Sequence, residues 1–145
     1  MGKSLQYIII VVGLIFALDI GDSDVYDNSW ALVVGINDYQ NVQGLNYAVE
    51  DALAIKNMLI NEYGFSRQNV RYLIDQEATQ SNIKKELSIL MKSAGENDRV
   101  VFYFAGHGET VALGLEDGDI GFLLPFDGDA DDLYFSAIDM GELTR

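Results

Sequence analysis

Residues 30–38 read WALVVGIND, and the fold turns on how that run is read. It is short and valine-rich, with no polar side chain between Trp30 and Asn37, so neither of its faces suits water. A strand that is apolar on both faces belongs to a parallel sheet covered by helices on each side, and Gly, Asn and Asp at its end feed a loop. Directly afterwards the period changes. Leu45, Ala48, Val49, Ala52, Ile55, Leu59 and Ile60 recur at intervals of three and four, which is one helix face, and Gly64 stands where a C′ glycine would stop it.

The unit repeats downstream. NVRYLID (69–75) predicts a second strand, Thr79 is placed as an N-cap, and Ile83, Leu87, Leu90, Met91 and Ala94 form a second helical stripe ended by Gly95. DRVVFYFAGHG (98–108) supplies a third strand. Strands alternating with helices of this length define an α/β fold with right-handed crossovers and a mostly parallel sheet. Beyond residue 108 the pattern is irregular. A hairpin is predicted through GLEDGDIGFLLP (114–125), followed by an acidic loop and the first turn of a helix.

The chain of 145 residues suffices for one domain with a real core. Nine basic residues face 23 acidic ones, a formal charge of −14, which repels nucleic-acid phosphates and anionic headgroups and favours basic partners. Residues 100–144 hold ten acids and no Lys or Arg, so the excess is concentrated in the later loops. There is no cysteine, hence no disulfide, thiolate metal site or cysteine nucleophile within these residues. The amino end carries a lone Lys3, an uncharged apolar run from Tyr7 to Leu18 and an acidic spacer. That run is shorter than the roughly 20 residues of a bilayer span, so residues 1–28 are expected to be a signal peptide or signal anchor plus spacer, and the protein to be exported. Membrane association is expected only if the segment stays uncleaved.

Unusual residues gather at strand ends, where α/β sheets bind their ligands. The first strand ends in Asn37-Asp38 and delivers Asp51 on the next helix; the third ends in Ala105-Gly106-His107-Gly108-Glu109. If these two strands are neighbours, the groups face one crevice. His107, the only histidine, is the candidate general base, since an imidazole exchanges protons near neutral pH. A Gly108 N–H could stabilise an oxyanion, and Gly106 gives the backbone room. The plain alternatives are a surface turn for His107 and solvated acids at a helix N-terminus for Asp51 and Glu50. No nucleophile accompanies the histidine: there is no G-x-S-x-G, and one His with carboxylates is an uncommon zinc set. Asp127, Asp129, Asp131 and Asp132 alternate like a calcium loop, but Gly is missing at its sixth position and Glu at its twelfth, which leaves a solvated acidic loop.

Taken in order, WALVVGINDY (30–39), LNYAVEDALAIKNML (45–59), DRVVFYFAGHGE (98–109), GFLLPFD (121–127) and AIDMGEL (137–143) resemble the caspase-like cysteine peptidases, particularly bacterial caspase homologues and metacaspases. The resemblance spans about residues 29–145. It implies a caspase-like three-layer sandwich, incomplete in this chain, and a Cys-His endopeptidase whose base matches His107 and whose oxyanion donor matches Gly108. Asp51 matches the aspartate that lines the S1 pocket of metacaspases and paracaspases, which cut after Arg or Lys. The expected partners are therefore proteins or peptides with a basic P1 residue, with no nucleic acid. Caspases proper hold a P1 aspartate with arginines, and none lies between Asn37 and Asp51.

The family's cysteine lies about 50 residues after its histidine. Residues 29–145 are accordingly expected to be the amino-terminal portion of the peptidase domain, ending before the cysteine strand and inactive alone, with an exposed edge on the third strand. Metacaspases commonly bind calcium between histidine and cysteine, where this chain has Glu116, Asp117, Asp119 and Asp139, but the usual paired acids are here Asp139-Met140. No cofactor is assigned, and calcium stays an option. A non-catalytic caspase-like interaction module is the alternative function, and a metal-binding receiver-like domain a third.

Overall fold

The computed structural model describes residues 26–112 and 118–144. The apolar run from Tyr7 to Leu18, on which the expectation of export rests, lies outside the described residues.

Strand β1 (Ser29–Gly35) occupies the middle of a three-stranded sheet, between β2 (Val70–Ile74) and β3 (Arg99–Ala105), with both pairings parallel. Its side chains alternate between two cores, as the period-2 geometry of a strand requires. Ala31 and Val33 pack with Ala52, Leu59 and Phe65, which puts helix α1 (Ala48–Asn61) on one face. Leu32 and Val34 pack with Ile83 and Leu90, which puts helix α2 (Gln80–Ser93) on the other. All four β1 side chains have zero exposure, so the unbroken apolar run follows from burial on both faces. Leu32, Val33 and Val34 each contribute about 1.5–3 kcal/mol relative to exposure.

The helix boundaries follow local chemistry. α1 is capped from a distance: the Asn37 side-chain oxygen accepts the N–H of Ala48 at 2.8 Å and of Val49 at 3.3 Å. It ends at Asn61 with Glu62 as its C-cap, and Gly64, whose φ of 72° lies in the left-handed region, turns the chain one position beyond the C′ place the sequence predicts. In α2 the Thr79 side chain accepts the Asn82 N–H at 3.2 Å, which is the expected N-cap. The far end differs from expectation. α2 stops because Ala94 turns extended, and the Gly95 N–H is held by the Asp98 carboxylate at 2.9 Å.

Beyond His107 the sheet is not parallel. Strand β4 (Gly108–Ala112) pairs antiparallel with β5 (Asp119–Leu123), which pairs antiparallel with the short β6 (Ile138–Asp139). The central sheet is parallel as expected, and the antiparallel strands form a second, separate sheet. The predicted hairpin exists but begins earlier, at Gly108, because GETVA alternates inward and outward residues and is itself a strand. The predicted terminal helix is a single α-turn, α3 (Leu133–Ser136), and a 3-10 turn over Met140–Thr144.

This second sheet docks at the carboxyl end of the first. Leu123 and Ile138 join the core under α2, while the Asp127 carboxylate accepts the Gln80 N–H at 2.8 Å and so caps α2. Gln80 Nε2 donates to the carbonyl of Ala137 at 2.8 Å. On the outer side of β3 no strand pairs among the described residues, as expected of an edge.

Candidate functional site

The strand order β2-β1-β3 reverses direction between β1 and β3, so a crevice opens at the carboxyl ends of those two strands. They are direct neighbours, with Gly35 opposite Ala105 and the Ile36 N–H bonded to the Ala105 carbonyl at 3.0 Å. The first and third strands are thus neighbours, as the sequence reading supposes.

His107 is no surface turn. It is 4% exposed, the only buried polar or charged residue among those described. Its backbone is held on both sides: the N–H donates to the Tyr39 hydroxyl at 2.7 Å, and the carbonyl accepts the Leu124 N–H at 2.9 Å. The ring is held as well, because Nε2 lies 2.7 Å from the Gln43 backbone carbonyl. A carbonyl can only accept, so Nε2 carries a hydrogen, and in the neutral imidazole the basic lone pair is on Nδ1.

Gly108 opens β4. The Leu124 N–H to His107 carbonyl bond and the Gly108–Leu123 register make 108 and 123 a non-hydrogen-bonded pair. The Gly108 N–H consequently faces away from β5, the orientation an oxyanion donor requires. Val42, Leu124 and Ala130 form an apolar wall beside His107, Gly108 and Glu109.

Asp51 is exposed in the first turn of α1. It stands over β3: burial first, and then the charge of Asp51, raises the Tyr103 phenol above its ordinary value of 10.0. Tyr103 precedes His107 by four residues along the chain. Glu50 does more than sit near a helix end, since it accepts the Asn37 Nδ2 hydrogen at 3.3 Å.

Residues whose roles left no sequence signal support this arrangement. Asp75 Oδ1 accepts the N–H groups of Asn37 and Asp38 at 2.8 and 2.9 Å, from a backbone with φ of 43°. It pins the loop leaving β1. Burial, and the charge of Asp75 after it, hold the Tyr39 phenol far above its ordinary value.

The acidic residues form no metal cradle among the described residues, where no three His, Asp or Glu converge. Asp127 serves α2, Asp129 accepts the Asp131 N–H at 2.9 Å, and Asp139 accepts the Gly141 N–H at 2.7 Å. Glu116 and Asp117 lie outside the described residues.

A helix-covered parallel sheet with a buried His107 where its order reverses, followed by an antiparallel hairpin, defines a caspase-fold domain. Residues 28–143 match the family described as Caspase domain, and the chain belongs to that family. It is 34% identical to Metacaspase-1 of Eremothecium gossypii over 63% of this chain and 21% of that protein. It is 34% identical to Metacaspase-4 of Arabidopsis thaliana over 63% and 23%, and 31% identical to Metacaspase-6 of the same plant over 76% and 33%. The chain thus spans between a fifth and a third of the length of these relatives. The crystal structure of protein GSU0716 from Geobacter sulfurreducens shares the fold, with a TM-score of 0.63 at 23% identity over 80% of this chain and 43% of that one.

Proposed function

We propose that this domain supplies the base, the oxyanion donor and the specificity residue of a cysteine endopeptidase that cleaves after Arg or Lys. The observation that carries the reading is the buried His107, whose Nε2 is committed to the Gln43 carbonyl and whose Nδ1 is therefore the basic nitrogen.

Nδ1 takes the proton of a thiol, and the thiolate attacks the scissile carbonyl carbon. The oxyanion so formed is stabilised by the Gly108 N–H. Collapse breaks the C–N bond while Nδ1–H passes its proton to the leaving amine, giving a thioester that water hydrolyses. The Gln43 carbonyl steadies the imidazolium between the two transfers. Asp51 pairs with the basic P1 side chain, in keeping with the acidic chain. The thiol comes from outside these 145 residues, which contain no cysteine.

The test is expression of the gene with the coding sequence that follows residue 145. Arg and Lys fluorogenic peptides should be cleaved, thiol blockers should stop the reaction, and His107→Ala should slow it about 10²-fold or more. Cleavage undiminished by His107→Ala, or that prefers an acidic P1, sinks the proposal. The alternative reading is a non-catalytic caspase-like module. That module binds partners equally well with His107→Ala and cleaves nothing. Export rests on the Tyr7–Leu18 run, and cell fractionation that finds the protein only in the cytoplasm overturns it.

A further inference from the structure

We infer that Tyr39 is the positioning residue of His107: it fixes the backbone at the strand end so that the imidazole meets the Gln43 carbonyl in a single tautomer. Tyr39 touches the histidine twice. Its hydroxyl accepts the His107 N–H at 2.7 Å, and its ring flanks the imidazole with centroids 4.8 Å apart and planes at 49°. The same loop then supplies the Gln43 carbonyl, 2.7 Å from Nε2. Main chain and ring are thus gripped by two residues four positions apart.

Gly106 is shaped to this grip. A Cβ there would run into the Tyr39 hydroxyl and would meet the Phe104 ring at 2.8 Å. The glycine before the histidine makes room for a tyrosine as well as for any substrate. The clamp has its own anchors: Asp75 holds the N–H groups of Asn37 and Asp38, and the Gln40 N–H donates to the Phe126 carbonyl at 2.9 Å. Burial keeps the phenol protonated, so the group facing the His107 N–H is a hydroxyl whose oxygen accepts.

The test uses nitrogen NMR of the 145-residue chain, purified without a histidine tag, since His107 is then the only imidazole. The wild type should show a protonated Nε2 and an unprotonated Nδ1. Tyr39→Phe should erase that preference, moving both ring nitrogens toward averaged shifts. It should also speed exchange of the His107 amide about tenfold, the effect of losing one buried hydrogen bond, while amides of the β1–β3 ladder keep their protection. A folded Tyr39→Phe chain with wild-type tautomer and exchange overturns the inference.

Gly106→Ala presses on the same hydroxyl and serves where Tyr39→Phe does not fold. Loss of the tautomer preference in it supports the clamp, and retention overturns it. A wild-type proton on Nδ1 overturns it whatever the variants do. The catalytic meaning of the clamp rests on the proposed function, but these readouts need no nucleophile. Absence of peptidase activity would remove the base assignment alone, and an unclamped His107 would remove the clamp alone.

Discussion

The side-chain oxygen of Asn37 accepts the backbone N–H of Ala48 at 2.8 Å, so the loop that leaves β1 caps the helix that follows it. One residue thereby couples the carboxyl end of the sheet to the helix bearing Asp51. Replacing it strips two N–H groups of their acceptor, those of Ala48 and Val49. Asn37→Ala should cost about 1 kcal/mol, and at most about 2. Urea unfolding followed by circular dichroism checks this, and an unchanged midpoint would refute the capping role.

Gly35 is where α1 comes closest to β1. A Cβ on it would lie 2.6 Å from the Ala48 carbonyl oxygen and 2.6 Å from the Ala52 Cβ, and neither can swing away. Gly35→Ala should therefore destabilise by about 1–3 kcal/mol, the range for forcing a methyl into a packed core. Thermal unfolding measures it, with Gly64→Ala as a contrast: nothing lies within 4 Å there, and the cost is backbone strain alone.

Asp98 predicts a pH dependence. The Gly95 N–H first, and then Trp30 Nε1 and Asn28, hold its carboxyl below the ordinary value of 3.8. A depressed folded-state value means that the stabilisation is fully present above 3.8 and is lost as pH falls through the lower folded value. Asp98→Asn should flatten the loss of stability in that acid window. Trp30 is the only tryptophan and its Nε1 donates to Asp98 at 2.8 Å, so its fluorescence reports the change directly. A variant as acid-sensitive as the wild type would refute it.

If the coding sequence that follows residue 145 supplies the cysteine of the proposed function, His107 and Asp51 should separate kinetically. His107→Ala should lower kcat by about 10²–10⁴-fold for every substrate, as loss of a general base does. Asp51→Ala should lower kcat/KM about 30-fold or more for Arg and Lys substrates and leave neutral P1 substrates little changed. Equal losses on charged and neutral substrates would show that Asp51 does not read P1.

On its own, the 145-residue chain should hydrolyse no peptide through a thiol, because it has none. Peptidase activity sensitive to thiol blockers in the purified chain would contradict this.

The main sheet, both long helices and the place of His107 were legible in the sequence because burial on two faces leaves a continuous apolar run and a helix face leaves a period. WALVVGI and VVFYFA could be little else. The second sheet was half legible: its strands are short, and GETVA alternates over only five residues. Tertiary structure alone decided which imidazole nitrogen is basic, and that Tyr39, Gln43 and Asp75 hold the loop. Those bonds join residues 68, 64 and 38 positions apart through single polar atoms. Such contacts repeat at no interval, so no periodicity in the chain records them, and only the packing of β1 against β2 and β3 brings them together.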